Sequence, residues 1–235
     1  MRPGSTKKLV IFDCDGVIVD SEPISIQVLV AAMAERGMVM DEEEVHRRFL
    51  GRSLATVIEA ARAEFDLEID AAFLDALRHN LYARFRAELQ PIAGISTALD
   101  GLTRAGLGWC VASSSQMERI KLSLTVTGLI DRFAPDIFSA SMVENGKPAP
   151  DLFLYAADQM KTKPQDCIVI EDSPAGVEAA KAAGMTVFAF CGGSHAHLPA
   201  YRAALSQLQP DETFDAMDNL LHLVAKTEDR DGNKP

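Results

Sequence analysis

The chain has 235 residues, 48% of them apolar and 24% charged, a composition that supports a packed core and excludes a disordered chain. Its 34 acids against 23 lysines and arginines give a formal charge of −11, and aromatics make up 6%, so it lacks the basic surface and the stacking groups that nucleic-acid binding needs. Nor does any run reach the ~18 consecutive apolar residues of a membrane span.

Met1–Lys8 is polar and leads straight into an apolar run, so no secretory signal is expected. Cys14, Cys110, Cys167 and Cys191 never form a CxxC pair, and each lies in or beside an apolar stretch. They read as buried thiols in a reducing compartment, which points to a cytoplasmic protein. Leu9–Asp13 (LVIFD) reads as a first strand. From Ser21 to Gln90 the pattern is helical only, with apolar stripes in Ile24–Arg36, then Leu54, Val57, Ile58, Ala61 and Phe65, then Leu74, Leu77, Leu81, Phe85 and Leu89. About seventy such residues are too many for a connection and enough for a small bundle of their own.

Pro91 and Gly94 return the chain to a strand–helix rhythm. Ile95, Ala98, Leu99 and Leu102 share a helix face, and Gly108–Ser113 (GWCVAS) and Asp136–Ser139 (DIFS) read as strands. Leu152, Ala156 and Met160 mark another helix. Cys167–Glu171 (CIVIE) and Thr186–Cys191 (TVFAFC) are strands around a helix that Ser173 caps, Pro174 opens and Gly184 ends. Nearly continuous apolar strands suit a parallel sheet covered on both faces. The expected fold is α/β: a doubly wound, Rossmann-like core of residues 1–20 and 91–225 carrying an inserted α-helical cap of residues 21–90. Residues 226–235 are expected to form a mobile tail. His195 and His197, after Gly192-Gly193, read as solvated loop histidines.

The chemistry gathers at the strand ends. The first strand closes in Asp13-Cys14-Asp15-Gly16 and the fourth in Glu171-Asp172-Ser173. In a parallel sheet these four carboxylates meet at the edge where open α/β sheets bind ligands. At ~4 Å and an effective dielectric near 20, each like-charged pair repels by about 4 kcal/mol. Such a cluster needs a cation, and hard oxygen ligands favour Mg²⁺. Ser113 ends the second strand, where a hydroxyl and the following helix start can hold a phosphate. Lys147, in Gly146-Lys147-Pro148, can neutralise carboxylates and a phosphoryl group together.

The ordered set FDCDGV (Phe12–Val17), VASSS (Val111–Ser115), GKPAPD (Gly146–Asp151) and VIEDSPAG (Val169–Gly176) resembles the haloacid dehalogenase superfamily of phosphohydrolases, in the subgroup with an α-helical cap. The resemblance spans nearly the whole core. It implies that Asp13 is the nucleophile that becomes phosphorylated and Asp15 the general acid/base. Mg²⁺ would be held by the Asp13 carboxylate, the Asp15 main-chain carbonyl and the Asp172 carboxylate, with Glu171 in support. Ser113, Ser114 and Lys147 would bind the phosphoryl oxygens. Cap closure is implied as well, with hinges near Val19–Ser21 and Leu89–Gly94.

Within the superfamily, Asp15 and Asp172 together argue for phosphoryl transfer over carbon–halogen cleavage. The chain is similar to sugar-phosphate phosphatases, above all bacterial ones acting on 6-phosphogluconate, and also to β-phosphoglucomutases. The histidine that the mutases carry on the first cap helix falls on Ser25, and Phe49–Leu54 (FLGRSL) has leucines where they carry cations. A Mg²⁺-dependent phosphatase of small phosphorylated sugars or sugar acids is therefore the expectation, a monomer with Arg52 as the cap contact to substrate. A phosphosugar mutase is the alternative. A phospho-accepting signalling module is a different class, in which the acidic pair precedes the phosphorylated aspartate; here DxD comes first.

Overall fold

A computed structural model describes residues 9–37 and 69–231. Six strands form one sheet in the order β3-β2-β1-β4-β5-β6, with every neighbouring pair parallel. They are β1 (Leu9–Phe12), β2 (Gly108–Ser113), β3 (Ile137–Ser139), β4 (Cys167–Glu171), β5 (Thr186–Phe190) and β6 (Glu212–Phe214). β1 is central and pairs with β2 on one side and β4 on the other. The chain order reverses at β1, and ligands bind at such a point in open α/β sheets. The register sets Phe12 beside both Val111 and Ile170, so Asp13 emerges next to Ala112 and Glu171.

The strands form because their side chains are apolar on both faces and both faces are covered. Leu9, Ile11, Cys110, Ala112, Cys167, Val169, Val187 and Ala189 join one buried cluster with Leu152, Phe153 and Ala156 of α6 (Asp151–Gln159) and Val177, Ala179 and Ala180 of α7 (Pro174–Ala182). On the other face Phe12 meets Phe133 edge-on at 6.1 Å, and Val111, Ile168 and Phe188 are buried too. The stripe Ile95, Ala98, Leu99, Leu102 of α3 (Ile95–Ala105) is buried as its spacing predicts. Ser173 caps α7, its hydroxyl accepting the Gly176 N–H at 3.1 Å. The helices α4 (Met117–Val126), α5 (Ile130–Phe133) and α8 (Pro199–Gln207) complete the crossovers.

Two elements depart from expectation. β6 was not foreseen, because three residues are too few for a period of two to be visible. It is fixed by pairing instead: the Cys191 N–H donates to the Phe214 carbonyl at 2.7 Å and the Val187 N–H to the Asp211 carboxylate at 2.9 Å. Lys226–Asp231, expected in a mobile tail, continue the last helix, α9 (Leu220–Asp231), whose apolar start anchors it: Leu220 and Val224 are buried.

The chain divides into two compact units, Met1–Asp20 with Pro91–Pro235, and Ser21–Gln90. In the first unit, the segments on either side of the division run together: Val19 bridges Pro91, and the Ile92 N–H donates to the Ile18 carbonyl at 2.9 Å. In the second unit, α1 (Glu22–Glu35) packs on α2 (Ala71–Glu88), burying Ile24, Val28 and Met33 with Phe73, Leu77 and Phe85. Phe73 and Tyr82 are buried where Leu74 and Leu81 were expected to be, and the latter two are half-buried. Asp70 caps α2 by accepting the Phe73 N–H at 2.7 Å, and that bond, with Arg36 nearby, lowers its pKa. Among the described residues no helix is long and apolar enough to cross a membrane.

All four cysteines are buried, as expected. Burial raises each thiol above its ordinary value, Cys167 to about 12. In the folded chain they should resist an aromatic disulfide reagent near pH 8, while the urea-unfolded chain titrates all four. Unfolded thiols ionise near about 8.5 and folded ones only higher, so their contribution to stability is complete below that pH and is lost as pH rises above it. The urea midpoint should therefore fall between about pH 8 and 10; a midpoint that rises over this interval would contradict the assignment. Leu152→Ala, fully buried in the cluster, should cost about 2–5 kcal/mol, read from urea unfolding.

Candidate active site

Each carboxylate is delivered by the end of a strand. Asp13 follows β1 directly, and its own N–H donates to the Ile170 carbonyl at 2.9 Å, so the backbone is still locked to β4 where the side chain begins. Glu171 is the last residue of β4 and Asp172 the next. Asp13, Glu171 and Asp172 are all buried, and each offers an oxygen within 4.8 Å of the others. The turn at Gly16, with φ +78°, lets the loop after β1 pass against Asp172; a Cβ there would collide with that carboxylate.

Lys147 answers this charge. Its Nζ lies 2.5 Å from Asp13 Oδ1 and 2.7 Å from Glu171 Oε1, and it donates to the Ala112 carbonyl at 3.1 Å. Those three acceptors use all three ammonium hydrogens. The Phe153 ring stands 4.8 Å beneath the charge. Asp151, the first residue of α6, accepts both the backbone and side-chain N–H of Asn145 at 3.3 and 3.0 Å, which braces the loop holding Lys147. Glu171 Oε2 accepts from the N–H and hydroxyl of Ser173 at 2.7 and 2.9 Å, so both of its oxygens are engaged.

The electrostatics follow from burial. Desolvation holds the Asp13 pKa well above the carboxylate range; Lys147 pulls it down, while Glu171, Asp172 and Asp15 push it up. Asp172 is raised by desolvation too, against the lowering effect of His195. For Lys147, burial disfavours the ammonium, but Asp13 and Glu171 outweigh it and hold the lysine above its usual value. Three buried carboxylates against one ammonium leave a net negative, oxygen-rich pocket, which fits a hard divalent cation. Asp13 and Asp172 each spend one oxygen in the contacts described and have a second for such an ion.

Asp15 points elsewhere. Its Oδ2 accepts the Ser115 hydroxyl at 2.6 Å and its Oδ1 the Arg119 Nη2 at 2.8 Å. The side chain is thus held by cationic and hydroxyl donors rather than within the acidic triad. Ser113 is buried and its Oγ accepts the Ser115 N–H at 3.1 Å, shaping the turn after β2, whereas Ser114 is exposed. Arg52 lies outside the described residues, as does Phe49–Leu54. Ser25, on α1, donates its hydroxyl to the Ser21 carbonyl at 2.9 Å.

The sequence reading missed Arg119 and Ser115 as partners of Asp15, and it misplaced His195. Far from solvated, His195 is buried with Nε2 2.8 Å from Asp172 Oδ2. The signal was the preceding Gly192-Gly193: a Cβ at Gly192 would collide with the Asp215 carbonyl, and one at Gly193 would press on the imidazole at 2.7 Å. Two glycines in a row marked a loop packed tightly inward. Arg119 carried no comparable mark, since a helical arginine two residues into α4 is ordinary.

Residues 10–190 match the model of the haloacid dehalogenase-like hydrolase family. The 6-phosphogluconate phosphatase of Escherichia coli is 33% identical over 79% of this chain and 83% of its own. Hexitol phosphatase A of the same organism is 32% identical over 76% of this chain and 81% of its own. A haloacid dehalogenase family hydrolase of Deinococcus radiodurans, solved with bound phosphate and sodium, is 33% identical, covers 95% of this chain and 97% of its own, and superposes with a TM-score of 0.76.

Lys147→Met should strand Asp13 and Glu171 as uncompensated buried charges. The expected cost is about 3–5 kcal/mol at neutral pH, measured by urea unfolding. It should shrink toward acid pH, as the raised Asp13 carboxyl takes up its proton.

Proposed function

Because the chain belongs to the haloacid dehalogenase-like hydrolases and is a phosphatase enzyme, we propose that it hydrolyses small phosphorylated sugars or sugar acids, with Mg²⁺ bound and Asp13 transiently phosphorylated. The observation that carries this reading is the convergence of Asp13, Glu171 and Asp172 at the carboxyl edge of the sheet, with the ammonium of Lys147 bonded to the first two. The phosphatases of 6-phosphogluconate and hexitol phosphates among its relatives support the substrate class.

In this reading an Asp13 oxygen attacks phosphorus while the bond to the sugar oxygen breaks, and Asp15 gives that oxygen its proton. Asp15 then takes a proton from water as the water oxygen attacks phosphorus. The bond to Asp13 breaks, phosphate leaves, and both carboxyl groups are restored. Asp15 must give up Ser115 or Arg119 before it can carry a proton to substrate, since both of its oxygens are engaged in the resting arrangement. Lys147 exchanges a chain acceptor for a phosphoryl oxygen, and Ser113, with the turn it holds, lies next to that position. Asp13, Asp172 and the Asp15 carbonyl would hold Mg²⁺, with Glu171 in support; when bound, the ion draws charge from the phosphoryl oxygens. The helical unit, Ser21–Gln90, serves as a cap that excludes water during attack, and Arg52 contacts the far end of the substrate.

Phosphate release from 6-phosphogluconate and related sugar phosphates should require Mg²⁺ and vanish in Asp13→Asn. Asp15→Asn should slow turnover by about 10²–10⁴-fold. Formation of glucose 6-phosphate from β-glucose 1-phosphate without phosphate release would replace the phosphatase reading with a mutase. Independently of activity, Mg²⁺ should raise the thermal midpoint, and more so as pH rises, because the ion competes with protons for carboxylates that burial keeps basic. A midpoint indifferent to Mg²⁺ at every pH would remove the metal from this account.

A further inference from the structure

His195 lies outside the four motifs that carry the superfamily resemblance, yet it reaches the acidic cluster. It belongs to the 3-10 turn Ser194–His197, after β5. Its side chain is wholly buried, with Nε2 2.8 Å from Asp172 Oδ2. An ionised carboxylate oxygen only accepts, so a contact this close favours the proton on Nε2. Tyr201 of α8 meets the imidazole edge-on, with ring centroids 5.3 Å apart. Gly16 and Gly193 leave the room the ring fills: a Cβ on either would come within 2.8 or 2.7 Å of its Cε1.

The turn itself is braced from two sides. Arg202 of α8 donates from Nε to the Ala196 carbonyl at 2.7 Å and from Nη2 to the Cys191 carbonyl at 3.1 Å. The Ser194 N–H donates to Asp20 Oδ1 at 3.1 Å, and its hydroxyl bonds the other Asp20 oxygen. Asp20 follows the loop of Asp13 and Asp15, which is closed by the Gly16 N–H donating to the Val19 carbonyl at 2.8 Å. A solvated histidine would need none of this support, and a buried imidazole is costly unless its polar atoms are used.

From this geometry we propose that His195 is a positioning residue: it anchors one oxygen of Asp172 so that the other is aimed at the divalent cation, and the Ser194–Asp20 contact ties it to the nucleophile loop. The inference rests on the reading of Asp13 and Asp172 as metal ligands. A carboxylate held through one oxygen cannot rotate without breaking that contact, so its ligand atom is fixed before the ion arrives. Loss of such an outer partner typically weakens metal affinity by about 10–100-fold.

The test is calorimetric titration of Mg²⁺ alone into the native protein, His195→Leu and His195→Gln. His195→Leu fills space but offers no donor, and should weaken binding by about 10–100-fold. His195→Gln keeps an N–H for Asp172 and should recover most of that loss. The Mg²⁺ concentration for half-maximal phosphate release should follow the same order. Native-like binding by His195→Leu, or a glutamine variant as weak as the leucine one, would overturn the proposal. Should His195→Leu not fold, Gly193→Ala displaces the ring instead: weaker Mg²⁺ binding supports the assignment and unchanged binding sinks it. If the native protein itself fails to bind Mg²⁺, the metal-site reading falls and this inference with it. Tight native binding with indifferent variants removes only the role of His195.

Discussion

The ammonium of Lys147 is the interaction on which the active edge depends. β1 and β4 are neighbours, and both end in carboxylates, so the sheet register that buries their apolar side chains also forces Asp13 and Glu171 together. Two buried like charges at such separation oppose the pairing that produces them. Lys147 resolves the conflict by donating to both, and to the Ala112 carbonyl at the end of β2, so one cation joins three strand ends. Its own burial is offset by those partners and by the Phe153 ring below.

This arrangement separates the two demands on the molecule. The sheet body is apolar on both faces and is held by burial, which is non-directional and tolerates a range of side chains. The carboxyl edge is polar, buried and directional: Glu171 has both oxygens committed, Asp15 is gripped by Ser115 and Arg119, and Asp172 lies against His195. A net negative charge remains after Lys147 is counted. Burial therefore keeps Asp13 and Asp172 basic, and a hard cation suits the pocket better than another side chain would.

The resting position of Asp15 has a consequence for chemistry. Asp15 lies two residues after Asp13, and its carboxylate is turned from the triad toward α4. A guanidinium and a hydroxyl donor together hold it there. In the proposed mechanism a local exchange of partners couples the acid/base step to whatever substrate displaces Ser115 or Arg119.

By itself, the sequence determined the α/β class, five of the six strands, the buried thiols, and the chemical groups at the strand ends. These were legible because each depends on local pattern: continuous apolar runs, capping residues such as Ser173, and short motifs directly following strands. The boundaries of β1, β3 and β5 differed by a residue only, since the end of a strand is set by its partner's register. Tertiary structure alone decided what each polar group does in the resting protein. Nothing local distinguishes Arg119 from any helical arginine, and only Gly192-Gly193 sets His195 apart from a solvated loop histidine, because their partners lie 104 residues away at Asp15 and at the end of the neighbouring strand at Asp172. The same holds for β6, too short to have a pattern, and for Lys226–Asp231, whose charged text is helical because Leu220 and Val224 anchor the turns before it. Apolar periodicity is written along the chain, but polar pairing is written between segments, and only the folded molecule brings those segments together.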